Sequence, residues 1–171
     1  TDIRKSTIYT GDYEETSYNN ISKYFGRASG NRNVVDGKYI RMEEVYLTRA
    51  EAYWQLGYTT QALADLDAVR SQRYESFTSG NETGTALLNA IILERRLELA
   101  FEGDRFFTLK RLRKSIQRDP TKGAIADGSG TPPATDWVTL PYGDNRWQLP
   151  IPKDAYSANP SLTQADQNPG Y

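Results

Sequence analysis

The sequence predicts a mainly α fold: helical hairpins, followed by a long, irregular, Pro/Gly-rich C-terminal tail packed over them. Three observations carry that expectation. Apolar residues recur at spacings of three and four from about residue 40 to 116, the period of a helix with one buried face. Gly57 and Gly103 stand where that period breaks, as glycines do just past helix ends. From Asp119 onward Pro and Gly recur too densely for any long helix.

Residues 1–38 are polar and broken, and read as an irregular segment with short strands, such as Ile21–Phe25, and no visible core of its own. Four helices are expected in residues 39–118, at about 40–56, 59–73, 85–102 and 105–116. The first carries Met42, Val45, Tyr46, Arg49, Tyr53 and Leu56 at helical spacing; the second carries Ala62, Leu63, Leu66 and Val69. The connection between them is so short that they must lie antiparallel. Leu56-Gly57 followed by Ala62 and Leu66 resembles half a tetratricopeptide repeat, with small Ala62 allowing close helix approach. The third helix has Leu87, Leu88, Ile91 and Ile92 in its first half; the fourth has Phe106, Leu109, Leu112 and Ile116 on one face. Residues 119–171 read as an ordered tail, because Trp137, Val138, Leu140, Tyr142, Trp147, Leu149 and Ile151 are too apolar for a disordered one.

Composition excludes more chemistry than it suggests. The 171 residues are 37% hydrophobic and 12% aromatic, with a net charge of −1 and no apolar run long enough to cross a bilayer as a helix. That charge argues against nucleic acid as a partner. The chain has no Cys and no His. Disulfides, ordinary structural zinc, His- or Cys-ligated haem and every Ser-His-Asp arrangement are therefore out, and acid–base work could fall only to Asp, Glu, Lys or Tyr. No cofactor and no metal site is expected: Asp127-Gly128-Ser129-Gly130 lacks the alternating acids of a calcium loop, and there is no phosphate-cradling Gly-rich loop. Asn20-Ile21-Ser22 and Asn81-Glu82-Thr83 match a glycosylation acceptor, a tripeptide common by chance.

The sharpest polar feature is the third helix. Glu94, Glu98 and Glu102 are spaced to share one face, with Arg95, Arg96 and Arg105 alongside. Like charges at that spacing repel, so cations must face them; Arg41, Arg49, Arg70 and Arg73 are the candidates. The structural reading is an ion-pair network of Arg49, Arg70, Glu94, Arg95, Arg96, Glu98, Glu102 and Arg105 between helices. The catalytic reading is a glycosidase carboxylate pair in the same row. The basic run Arg105–Arg118 reads as a solvated helix face favoured by the helix dipole. Aromatics in loops could stack on sugar rings: Trp137 and Tyr142 are the candidate ligand-binding residues, with Tyr9, Tyr13, Tyr18 and Tyr24 further upstream, whereas Trp147 beside Leu149-Pro150-Ile151 reads as an anchor.

Taken together, these segments resemble the SusD/RagB family. The first is Arg41-Met42-Glu43-Glu44-Val45-Tyr46-Leu47-Thr48-Arg49-Ala50-Glu51-Ala52, followed by Val69-Arg70-Ser71-Gln72-Arg73. The run Glu94 to Arg105 comes next, then Leu149-Pro150-Ile151-Pro152, Asn159-Pro160 and Gln167-Asn168-Pro169-Gly170-Tyr171. Order and spacing match over about residues 39–171. Two positions depart from the pattern: Glu44 stands where the family usually has Ala, and Asp154-Ala155 where it usually has Glu after the Pro-Ile-Pro turn.

The resemblance implies a tetratricopeptide-like helical fold and a binding protein rather than an enzyme. Its ligand would be an oligosaccharide or other nutrient, and its partner a TonB-dependent SusC-like transporter that it covers as a lid. It would sit on the outer face of the Bacteroidetes outer membrane, held by an N-terminal lipid anchor absent from this chain. The chain, which opens on Thr1, would be the C-terminal portion of a longer protein, with residues 1–38 the end of an upstream region. The family's ligand contacts vary, so none transfers to a position here. Two other functions stay open at this point: a glycoside hydrolase fragment using the Glu94/Glu98/Glu102 row, and a helical-repeat scaffold binding protein partners.

Overall fold

The computed structural model describes residues 1–13, 16–21, 23, 40–117 and 139–169, with only the backbone path described for 7–13 and 16–20. It is mainly helical and divides into two compact units, Thr1–Ala100 and Phe101–Tyr171. The division falls inside the segment 39–118 that the sequence reading treats as one helical body.

The first unit is built on a tetratricopeptide-like hairpin, α1 (Met42–Gln55) and α2 (Thr59–Arg70), with α3 (Gly84–Glu98) laid against both. Neither hairpin helix contains an internal Gly or Pro. Leu47, Ala50, Ala62, Leu66, Val69, Leu87 and Ile91 form the core, and Tyr46, Tyr53, Trp54 and Leu63 close its margins. Each fully buried Leu or Ile contributes on the order of 1.5–3 kcal/mol. Ala50 and Ala62 are completely buried, so the helix axes approach where those methyls meet the core.

The hairpin turn is a Schellman motif. Tyr58 N donates to Tyr53 O at 2.8 Å and Gly57 N to Trp54 O at 3.1 Å, with Gly57 left-handed at φ +80°. The glycine anticipated at this helix end is thus the residue the geometry requires.

Three helices end earlier than the periodicity predicts, the first two of them because another partner takes the backbone. Past Arg70, Gln72 N and Arg73 N reach back only three residues, and Arg73–Glu75 turn to pair with the start of the chain. Ile3 N donates to Arg73 O at 2.9 Å and Glu75 N to Thr1 O at 3.1 Å. At the end of α3, the carbonyl of Glu98 is taken by Arg41 Nη2 at 2.7 Å and Lys23 Nζ at 2.6 Å, and the latter also reaches Ala100 O at 2.9 Å. Glu102 therefore lies beyond the helix that was to carry it, after Phe101 at φ +68°.

The N-terminal residues are more ordered than their composition suggests. A 3-10 turn, Ile3–Thr7, leads into an antiparallel ribbon of β1 (Ile8–Tyr13) and β2 (Thr16–Ile21), in register from Ile8 opposite Ile21 to Tyr13 opposite Thr16. Of the strand expected over Ile21–Phe25, Ile21 closes β2, while Phe25 lies outside the described residues.

In the second unit, α4 (Asp104–Arg111) also ends early, in a second Schellman motif: Lys114 N donates to Leu109 O at 2.9 Å and Arg113 N to Lys110 O at 3.2 Å. The position that favours glycine is held by Arg113 at φ +53°. The chain then leaves as β3 (Ile116–Gln117), paired with β4 (Thr139–Leu140). The tail packs on α4 through Trp147, 4% exposed, whose ring lies 5.1 Å from that of Phe106 and whose carbonyl accepts from Lys110 Nζ. One cation of the basic run is therefore spent on holding the tail.

A short helix, α5 (Lys153–Ala158), follows Pro152. The Gln167 side chain accepts from Ile151 N at 2.8 Å and donates to Ile151 O at 3.1 Å, and Asn168 Nδ2 donates to Leu149 O. Two side-chain amides thereby stand in for a neighbouring strand along Leu149–Ile151, which a proline-interrupted segment cannot recruit for itself.

The two Schellman positions predict stability changes of opposite sign. No atom lies near the β-carbon that Gly57→Ala would add, so its cost is the left-handed backbone alone, about 1 kcal/mol. Arg113→Gly relieves the same constraint and raises stability by roughly 0.5–1 kcal/mol. Urea unfolding midpoints of the two variants check both.

Candidate functional site

Two places concentrate chemistry: a buried carboxylate cluster against α3 in the first unit, and an exposed aromatic turn in the second.

Glu94 and Glu98 are 1% and 3% exposed, and sit one helical turn apart on the inner face of α3. Arg73, just past α2, donates Nε to Glu98 Oε2 at 2.9 Å and Nη2 to Oε1 at 3.2 Å, and its Nη2 also reaches Glu43. Arg41, preceding α1, places Nη1 3.1 Å from Glu98 Oε1. Arg4, in the N-terminal 3-10 turn, bridges the pair: Nη1 lies 3.2 Å from Glu98 Oε2 and 2.7 Å from Glu94 Oε1. Arg70 Nε is 3.5 Å from Glu94 Oε2, and its Nη1 is 2.8 Å from Glu82. Tyr74 donates its hydroxyl to Glu94 Oε2 and accepts from Arg4 Nη2.

Burial alone would push the Glu98 carboxyl up. The hydrogen bonds and charge of Arg73, with the charges of Arg41 and Arg4, hold it below the usual carboxylate range. Burial also raises the Tyr74 hydroxyl, and the charge of Glu94 raises it further. Asp2 is lowered chiefly by its hydrogen bonds from Arg4, and Glu82 by its bond from Arg70.

The expected network residues are not all brought together. Arg70, Glu94 and Glu98 meet in this cluster. Arg49 lies elsewhere on the hairpin: its Nε and Nη2 each donate at 2.7 Å to the two oxygens of buried Asp65, and its guanidinium sits 5.3 Å from the Tyr46 ring centre and 5.8 Å from that of Tyr53. Arg95 pairs with Glu44 at 3.1 Å and Thr48. Glu44 is therefore matched by a cation on α3. Arg96 is exposed; Glu102, exposed, and Arg105, half-buried, belong to the second unit.

Arg4 is the cation of the carboxylate cluster that sequence reasoning missed. Asp2, two residues away, holds its guanidinium through Nε and Nη2, an arrangement visible in the sequence only as a short acid–base spacing. A shallow hollow of about 460 Å³ on the outer side of α1, lined by Ile40, Glu44, Val45, Thr48, Arg49 and Ala52, was likewise not anticipated.

The aromatic turn runs Pro141–Asp144, closed by Asp144 N donating to Pro141 O at 3.3 Å, with Gly143 at φ +88° in its third position. Tyr142 is 48% exposed on it. Behind the turn, Trp147 Nε1 donates to Pro141 O at 2.6 Å, and Tyr142 N donates to Ser115 Oγ at 3.1 Å. Asp144 is gripped by Arg146 through both oxygens, which lowers its carboxyl to about 2. The turn is thus a rigid mount for one exposed aromatic ring with a carboxylate and a guanidinium beside it. Trp137, the other candidate ligand contact, lies outside the described residues, as do Tyr24 and the Asp127–Gly130 loop. Among the described residues no cluster of acids has metal-holding geometry.

The acid limb of stability follows from Glu98. A carboxyl lowered on folding contributes stability that is present above its unfolded pKa and lost as pH falls through the folded value. Stability should therefore decline with acid below the ordinary carboxylate range. Glu98→Gln strands several guanidinium groups and should cost about 3 kcal/mol at neutral pH while flattening that decline. Urea midpoints measured from pH 7 down to pH 3 in both proteins check the size and the slope.

The sequence matches the SusD family over residues 8–171. No curated protein matches it. Among solved structures, a SusD superfamily protein of Bacteroides thetaiotaomicron aligns over 98% of this chain and 37% of its own, at 27% identity and a TM-score of 0.78. A SusD superfamily protein of Bacteroides vulgatus aligns over 99% of this chain and 36% of its own, at 26% identity and a TM-score of 0.69. The chain thus spans little more than a third of the length of these neighbours. Its motifs, its hairpin and its match across nearly all residues agree: the chain belongs to the SusD family.

Proposed function

We propose that this chain is part of a cell-surface nutrient-binding protein, with a glycan as its ligand. It works as lid and partner of a TonB-dependent SusC-like transporter in the outer membrane, and is held there by a lipid anchor outside this chain. Family membership over residues 8–171 is the observation that carries the reading. The polar chemistry agrees with it. Glu94 and Glu98 are the acids that a hydrolase would use, yet both are buried and each lies against guanidinium groups. A glycosidase needs one acid poised to give up a proton and an open path for the sugar between the two. Here the cations keep Glu98 charged, and its carboxylate is buried against Arg4, Arg41 and Arg73. The Glu94/Glu98/Glu102 hydrolase reading is therefore the weaker one.

Recognition then falls to the exposed Tyr142, with Trp137, carried over from the sequence alone, as a second ligand contact. An aromatic face covers the apolar face of a sugar ring, while neighbouring charged groups such as Asp144 and Arg146 take its hydroxyls. Glycan-array screening of the full-length protein identifies the ligand, and co-purification with the transporter tests the partnership. Tyr142→Ala should weaken binding of that glycan roughly tenfold, the loss of about one stacking contact, without altering the unfolding midpoint. Binding of a protein but of no glycan would favour the scaffold reading. Glycan hydrolysis abolished by Glu94→Gln in a folded protein would favour the enzyme.

A further inference from the structure

Among the described residues, the β1–β2 ribbon makes most of its backbone contacts within itself and with the 3-10 turn before it. A two-stranded ribbon of this size is at best marginally stable alone in water. Among the described residues, two polar contacts hold its base. Before the ribbon, Arg4 of that turn places Nη1 3.2 Å from the Glu98 carboxylate and 2.7 Å from Glu94. After the ribbon, Lys23 donates its ammonium to the backbone carbonyls of Glu98 at 2.6 Å and Ala100 at 2.9 Å. The two ends of the ribbon thus converge on one residue from opposite sides: one takes its side chain, the other its main chain. Both attachments are polar. Neither belongs to the apolar core of Leu47, Leu66 and Ile91, so they can be broken without opening that core.

We propose that the Ile8–Ile21 ribbon is an arm latched at Glu98, which unlatches as a unit while α1, α2 and α3 stay folded. The latch has two halves. Lys23 also closes the end of α3, so its release frays one helical end; Arg4 remains tied to Asp2 and Glu94 when Glu98 is altered, so the arm stays attached at its start. The arm would therefore pivot at the turn Ile3–Thr7 instead of leaving altogether. Latching is a property of local opening, which lies well below the free energy of global unfolding.

Hydrogen–deuterium exchange on the full-length protein tests this, comparing wild type with Lys23→Met, Glu98→Gln and Arg49→Met. Lys23→Met removes one half of the latch and leaves the carboxylate cluster intact. Arg49→Met breaks an ion pair of the same unit that has no part in the latch, and so reports what general destabilisation does to the arm. With the latch as proposed, Lys23→Met speeds exchange of the ribbon amides roughly tenfold or more while Leu47, Leu66 and Ile91 amides keep their protection. Glu98→Gln then speeds ribbon exchange more than core exchange, and Arg49→Met has no selective effect on the ribbon. Equal acceleration of ribbon and core in Lys23→Met overturns the proposal, because ribbon and helices then open together. Unchanged ribbon exchange in Lys23→Met overturns it too, as does a ribbon loosened as much by Arg49→Met.

Discussion

An isolated carboxylate taken out of water costs several kcal/mol, and attraction to a counter-charge offsets that cost only when hydrogen bonds satisfy the oxygens as well. Glu98 meets that condition through three guanidinium groups drawn from separate parts of the chain: Arg4, Arg41 and Arg73. Its own carbonyl is satisfied by Lys23 and Arg41. The start of the chain, the approach to α1 and the exit from α2 are therefore all fixed relative to the end of α3 by one side chain. Apolar packing could hold the three helices together but would leave their ends undetermined, since Leu and Ile contacts are not directional. The contacts of Arg4, Arg41 and Arg73 with Glu98 are directional, and add what the apolar packing lacks at the end of α3.

That arrangement also sets Glu98 apart from a general acid. Guanidinium groups remain charged at any pH the protein meets, so they keep Glu98 ionised and in place. A general acid needs the opposite: a site that favours the neutral form and a route for substrate.

How far the sequence could be read depended on whether a feature is local. The α1–α2 hairpin was legible because helix period, Gly57 and small Ala62 all act within about one turn of each other. The need of Glu94 and Glu98 for facing cations was legible, and Arg70, Arg73 and Arg41 supply them. Arg4 was not, because its partner Glu98 lies 94 residues away and nothing around Arg4 signals a buried role. The helix ends were misjudged for the same reason. Periodicity would have run α3 through Glu102, but Lys23 and Arg41 claim the carbonyls that a longer helix would have used. In the tail, Trp147 was legible as an anchor from its apolar neighbours. The pairing of Gln167 with Ile151 was not, since an amide side chain carries no mark of the backbone it will copy.

Tyr142 and Trp147 illustrate how the same residue class serves opposite ends on one short segment. The exposed ring and the buried one stand five positions apart, and the difference lies in what their neighbours offer. Trp147 has Phe106 to pack on, a carbonyl at Pro141 for its indole N–H, and Lys110 to hold its own carbonyl. Tyr142 has the turn, which Gly143 can form because it tolerates a positive φ. The buried ring fixes the turn through Pro141, and the turn then fixes where the exposed ring's backbone sits. Rigidity behind a contact lowers the ordering cost of binding, so part of any ligand affinity at Tyr142 is set by Trp147, which the ligand would never touch.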